Sequence, residues 1–127
     1  ELRTVDTEIV KPNGIIGTPD GKKLYVADIG DKKTYVYNIE HDGGLSNRQL
    51  FAEMGSDGMT IDNKGNIYLT GQGVTVFDKK GKKLGNIPVD ARWTANVTFG
   101  GKDHKTLFIT ASEFLYSIDM KVKGARY

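Results

Sequence analysis

Three polar residues recur at matched places in this chain of 127 residues: Asn13, Asp57 and Asn96, separated by 44 and 39 residues. Each stands just ahead of a short apolar run: Ile15-Ile16, Met59 to Ile61 and Val97 to Phe99. Two amides and one carboxylate offer hard oxygen ligands. Brought together they suit Ca²⁺, and they suit zinc poorly, since structural zinc prefers Cys and His. The bland alternative is that Asn-Gly and Asp-Gly are turn formers whose oxygens cap loop amides. Spacing alone leaves both open.

The elements that position these residues repeat as well. After each apolar run comes a polar turn: Pro19-Asp20-Gly21, Asn63-Lys64-Gly65 and Gly100 to Asp103. A strand with an aromatic centre follows ("LYVAD", "IYLTG", "LFITA"), then another that closes a hairpin ("TYVYNI", "VTVFD", "FLYSI"). A further turn leads to a last strand such as "RQLFAEM" or "LGNIPV". No segment sustains helical periodicity. Four strands per unit of about 40 residues predict an all-β protein of β-propeller type. The alternative is a small β-sandwich, which rarely repeats its turn chemistry in register. The chain is read as one partial propeller domain, 1–127, supplying about three four-stranded blades at approximately 1–50, 51–90 and 91–127. In a propeller the innermost strands line a central channel, so Asn13, Asp57 and Asn96 are expected at one mouth of it.

Propellers close with roughly four to eight blades. Three leave apolar faces open, so the chain is expected to be part of a longer protein or to pair as a homodimer. A start at Glu1, without Met or an apolar signal core, is expected of a processed, truncated or fragmentary chain.

Composition narrows the partners. Lys and Arg number 18 against 16 Asp and Glu, a net charge of +2, so no nucleic-acid surface is expected. Lys79, Lys80, Lys82 and Lys83 read as a solvated hairpin tip. No apolar run approaches the ~20 residues of a membrane span, so no membrane partner is expected. The absence of Cys excludes disulfides, thiolate metal sites and cysteine nucleophiles. His41 and His104 lie in turns. Ser46, Ser56, Ser112 and Ser117 lack the glycine-flanked elbow of a nucleophile. "TGQG" around Gln72 reads as a hairpin turn. Trp93 is expected in the packing between blades in preference to a pocket mouth. Tyr25, Tyr68 and Phe108 recur once per unit and are expected in inter-blade packing.

The strings "KPNGIIGTPDGKKLYVAD", "SDGMTIDNKGNIYL" and "TANVTFGGKDHKTLFITA" resemble the gluconolactonase family, which includes the senescence marker protein regucalcin. The resemblance covers almost the whole chain, but only the C-terminal half of the family pattern. It implies a six-bladed propeller that hydrolyses sugar lactones with one divalent metal per complete site. Ca²⁺ is favoured, with Zn²⁺, Mg²⁺ or Mn²⁺ as alternatives. The resemblance makes Asn13 a metal ligand, Asp57 a metal ligand and general base, and Asn96 a substrate-binding or structural pocket residue. Asp28 is expected as a structural hydrogen-bonder near the pocket. The family's remaining ligands, a glutamate and an asparagine, would lie upstream of Glu1, so this chain carries half an active site. A symmetric dimer would instead bring two Asn and two Asp to a common channel. The second functional reading is a non-catalytic propeller segment that binds a ligand or a protein. Bacterial relatives of this kind include exported proteins, which implies a periplasmic or secreted location.

Overall fold

A computed structural model describes residues 1–127. It contains eleven strands and no helix. The strands form three antiparallel sheets, each ordered by consecutive hairpins. Sheet 1 holds β1 (Pro12–Gly17), β2 (Lys23–Asp28), β3 (Lys33–Ile39) and β4 (Leu45–Ala52). Sheet 2 holds β5 (Met59–Ile61), β6 (Ile67–Gly71), β7 (Gly73–Phe77) and β8 (Lys83–Ile87). Sheet 3 holds β9 (Thr94–Gly100), β10 (Thr106–Ala111) and β11 (Phe114–Asp119). Antiparallel meanders of this kind, stacked side by side, make a partial β-propeller.

The β-branched and aromatic runs form these strands because alternate side chains can be buried on opposite faces. Sheet 2 shows it most fully, since Ile67, Tyr68 and Leu69 are consecutive and all buried. One of its faces meets sheet 1 in a core of Tyr25, Ala27 and Phe51 against Ile61, Leu69 and Phe77. Phe51 stands edge-on to Tyr25 with ring centroids 4.9 Å apart. The other face meets sheet 3, where Tyr68 and Val74 pack on Val97, Phe99, Leu107 and Ile109. Tyr68 and Phe99 are perpendicular at 5.4 Å.

Two expectations change. Sheet 3 has three strands, because after Asp119 the chain leaves the sheet and runs back beneath the turns of the inner strands. There Lys123 C=O accepts Asn63 N–H at 2.8 Å, Gly124 N–H donates to His104 C=O at 2.9 Å, and Ala125 N–H donates to Ile61 C=O at 3.0 Å. Tyr127 Oη reaches Gly17 C=O at 2.6 Å, so this strap ties all three sheets together. Phe108 differs from Tyr25 and Tyr68. Its cross-strand partners are Thr98 and Ser117, on the face turned away from sheet 2, and it stays 36 % exposed.

Residues 1–11 lie along sheet 1. Tyr37 donates its hydroxyl to Asp6 Oδ2 at 2.7 Å, and Arg48 contacts Asp6 and stacks 4.7 Å from the Tyr35 ring centre. Burial and then the Asp6 carboxylate push the Tyr37 hydroxyl up to about 12.

Candidate functional site

The three inner strands, β1, β5 and β9, begin at the same end of the sheets, and their entries touch. Gly14 N–H donates to Ser56 C=O at 3.3 Å, joining the residue after Asn13 to the residue before Asp57. A Cβ on Gly14 would stand 3.2 Å from Asp57 C=O, tighter than ordinary contact. Gly58, the residue after Asp57, lies against the Asn96 side chain so closely that any Cβ there would collide with Asn96 Oδ1. Glycine at both places is therefore what lets the three entries converge. Asn13, Asp57 and Asn96 are all exposed at this end.

Local irregularities aim them. The β1–β2 register slips between Pro12 and Ile15, so Asn13 and Gly14 fall in a bulge. The β9–β10 register slips between Ala111 and Thr110, which leaves Ala95 unpaired beside Asn96. Bulges redirect side chains at the rim of a sheet. Asn96 Oδ1 also accepts Val97 N–H at 2.9 Å, which fixes the direction of its amide.

The Asp57 loop rests on two buried hydroxyls that sequence reasoning passed over. Ser56 Oγ accepts Thr70 N–H at 2.7 Å and donates to Gly58 C=O. Thr70 Oγ1 accepts Gly58 N–H at 3.2 Å and donates to Ala95 C=O at 3.2 Å. Thr70 thus holds the loop carrying Asp57 to the bulge beside Asn96. The only sequence signal was small hydroxyl residues flanking the loop and ending β6, which many turns share.

Asp28 behaves as expected of a structural acceptor. It is buried and takes N–H bonds from Val10, Lys11, Gly30 and Asp31 at 2.8–3.2 Å. Burial pushes its carboxyl up, but the four amide donors outweigh that and hold it below the usual carboxylate range.

Beside Asp57 opens a cleft of about 430 Å³, walled by Ile29, Ser56, Thr70, Trp93 and Thr94. Trp93 corrects the expectation of a core aromatic. It lies in the link between β8 and β9, belongs to neither core, and is 52 % exposed on the cleft wall. Thr94 is buried there, and its Oγ1 has no hydrogen-bond partner in the protein.

Asn13 and Asp57 are oxygen donors on an open rim, and the chain has no thiol, so the donor set fits a hard divalent cation. It fits as part of a larger shell. No three His, Cys, Asp or Glu side chains cluster as a metal site, and such cations take roughly six to eight oxygens.

Comparison with known proteins agrees with this architecture. The family model described as "SMP-30/Gluconolactonase/LRE-like region" matches residues 1–113. A pentonolactonase of Haloferax volcanii is 31% identical over 120 residues, covering 87% of this chain and 41% of that protein. A gluconolactonase of Zymomonas mobilis is 30% identical over 138 residues, covering 97% of this chain and 38% of that protein. The solved gluconolactonase of Xanthomonas campestris superposes with a TM-score of 0.80 at 32% identity, covering 89% of this chain and 39% of that one. A regucalcin of Agrobacterium tumefaciens, described as a calcium-binding protein, shares the fold with a TM-score of 0.83 at 22% identity. It is covered to 50%, so the chain spans half or less of these relatives' lengths.

Proposed function

Because the chain belongs to the SMP-30/gluconolactonase/LRE-like family, we propose that it forms part of a divalent-metal-dependent hydrolase that opens sugar lactones. The observation that carries this reading is the contact between the entries of the three inner strands, where Gly14 meets the backbone of Ser56 to Gly58 and Gly58 meets the Asn96 side chain. The lactonases among its relatives support the substrate class.

Asn13 and Asp57 would hold the cation, with Ca²⁺ favoured by the calcium-binding neighbour and by the all-oxygen donors. A bound divalent cation supplies Lewis-acid polarisation of a carbonyl. The Asp57 carboxylate accepts a proton from the water that attacks the lactone carbonyl carbon, and the ring C–O bond then breaks as that proton is returned to the leaving ring oxygen, giving the hydroxy acid. Asn96, its amide fixed by Val97 N–H, orients the substrate. Ser56 and Thr70 keep the Asp57 loop in register with Asn96.

Further blades complete the ring and the ligand shell. Either a longer polypeptide or a second copy of this chain supplies them. The open outer face of sheet 3, with Phe108 and Leu115 exposed, supports that requirement. The same open face favours the second reading, a non-catalytic segment that closes a larger propeller. Substitution separates the two. Asp57→Asn should lower lactone hydrolysis about 100-fold or more in the assembled protein. Asn13→Ala should weaken cation binding while leaving the sheets folded. Native protein that opens lactone no faster than the uncatalysed reaction would favour the non-catalytic reading.

A further inference from the structure

The two ends of sheets 2 and 3 carry opposite charge. At the end where β5 and β9 begin, the loops hold Glu53, Asp57, Asp90 and Glu113 against Arg92. At the other end the balance reverses. Lys79, Lys80, Lys82 and Lys83 stand at the β7–β8 turn, and Lys64, Lys102 and Lys105 in the turns between inner and second strands. The strap after Asp119 adds Lys121, Lys123 and Arg126, and all of these cations are exposed. The whole-chain charge of +2 conceals this sorting.

The fold joins these positions into a belt. Met120 N–H donates to Lys105 C=O at 2.8 Å, which sets Lys121 beside Lys105. Lys123 C=O accepts Asn63 N–H at 2.8 Å, which sets Lys123 beside Lys64. The Lys79 stem passes Gly65 so closely that a Cβ there would lie 3.6 Å from Lys79 Cβ. The acids at this end quench little of the charge. Asp62 is buried, and its oxygens accept from Lys64 N–H, Asn66 and Tyr68 Oη. Asp78 accepts Lys80 N–H and Lys82 N–H at 2.9 and 3.0 Å. Asp103 and Asp119 are the remaining acids here. The chain's ion pairs all involve Arg3, Lys33 or Arg48, so no cation of the belt has a carboxylate oxygen within 4.0 Å. Beside the belt, between β8 and the strap, lies an apolar groove of about 480 Å³ lined by Ile87, Met120 and Val122. Its rim carries Leu84 and Ile118, exposed at 53 % and 39 %.

We propose that this end of sheets 2 and 3 is a docking surface for an anionic lipid bilayer. The protein lies on the membrane without crossing it. The belt sits among anionic headgroups, and Leu84 and Ile118 reach the boundary with the acyl chains. The expectation of no membrane partner rested on the lack of a spanning segment, which a surface contact does not need. Two features favour lipid over nucleic acid. The belt has nine lysines and one arginine. Lysine is a compact point charge that suits a diffuse anionic surface, whereas nucleic-acid recognition draws on arginine forks and stacked aromatics. Tyr127, the exposed aromatic beside Arg126, is tied by its hydroxyl to Gly17 C=O. The apolar rim next to Lys83 is the second feature, since phosphate backbones offer it nothing to enter. The acidic end that carries Asp57 turns away from the same surface, so its cleft faces water. None of this depends on the lactonase reading.

Co-sedimentation with vesicles tests it. The probes are phosphatidylcholine vesicles with about 30 % phosphatidylserine and vesicles of phosphatidylcholine alone. Binding to the anionic vesicles should be at least about 10-fold tighter, and should vanish as salt rises from about 0.05 to 0.5 M. Replacing Lys79, Lys80, Lys82 and Lys83 by Gln should weaken it about 100-fold or more. Replacing Lys11, Lys32 and Lys33 by Gln, at the opposite end of sheet 1, should change it less than about twofold, because those positions face away from the bilayer. Leu84→Gln should weaken it several-fold, and all these positions but the half-buried Lys33 are exposed, so the sheets stay folded. No binding to anionic vesicles, or equal binding to phosphatidylcholine alone, would overturn the proposal. Equal losses in the two lysine variants would show that net charge alone acts and would overturn the assignment to this end. Unchanged binding in Leu84→Gln would overturn the contact with the acyl boundary. Duplex RNA bound as tightly as the anionic vesicles at the same salt would overturn the choice of lipid.

Discussion

Sheets 2 and 3 are built from the same strand grammar and differ in what covers them. In sheet 2 the third strand, β7, is buried at four of its five residues, including Val74 and Phe77. In sheet 3 the third strand, β11, is exposed at five of its six, including Leu115 at 72 %. Sheet 2 has a neighbour on each face and a fourth strand outside; sheet 3 has one neighbour and no fourth strand. A propeller sheet therefore takes its stability from the sheets beside it.

This contrast should break first under truncation of the cores. Leu69→Ala in sheet 2 should cost about 3 kcal/mol, because Leu69 is fully buried between sheets. Leu115→Ala in sheet 3 should change stability by less than ~0.5 kcal/mol, as exposed sites do. Urea unfolding of both variants checks it. A comparable cost at Leu115 would show that the open face is covered in solution.

A finer version compares Thr70 and Thr110, the next-to-last residues of the second strands of the two sheets. Thr70 is buried and bridges the Asp57 loop to Ala95, whereas Thr110 is exposed. Thr70→Val should cost about 1–3 kcal/mol and loosen the Asp57 loop. Thr110→Val should be near neutral. Equal effects in thermal unfolding would remove the assigned role of Thr70.

The smallest effect concerns sheet 1. The Asp28 carboxyl is held below its ordinary range by amide donors, so the folded state binds its proton less readily than the unfolded chain. Its contribution is present above the ordinary pKa of 3.8 and is lost as pH falls below that value. Asp28→Asn should therefore lower stability at pH 7 and flatten the loss of stability in acid. An unchanged acid limb in the melting profile would contradict this.

Much of the fold was legible because hairpin turns and alternating strands recur at a fixed period. The turns at Pro19-Asp20-Gly21 and Asn63-Lys64-Gly65 fall between inner and second strands, as their residue types demand. That Asn13, Asp57 and Asn96 stand at adjoining entries of the inner strands was legible for the same reason. What escaped depends on neighbours. Alternation shows that Phe108 belongs to a face, but not whether a sheet covers that face. The residues after Asp119 are apolar enough for a fourth strand, yet their backbone bonds go to Asn63, His104 and Ile61. Trp93 is apolar and near a junction, and only the path of the β8–β9 link puts it on the cleft. Ser56, Thr70 and Thr94 carry no spacing signal, because their partners are distant in sequence.

The central claim is that Asp57 sits at the reacting centre of a lactone hydrolase. Its most direct test is the rate at which the assembled protein, with Ca²⁺ present, opens glucono-1,5-lactone, compared between the native sequence and Asp57→Asn. The account predicts turnover above the uncatalysed rate in the native sequence and a loss of about 100-fold or more in the variant. Equal rates in the two proteins would contradict it.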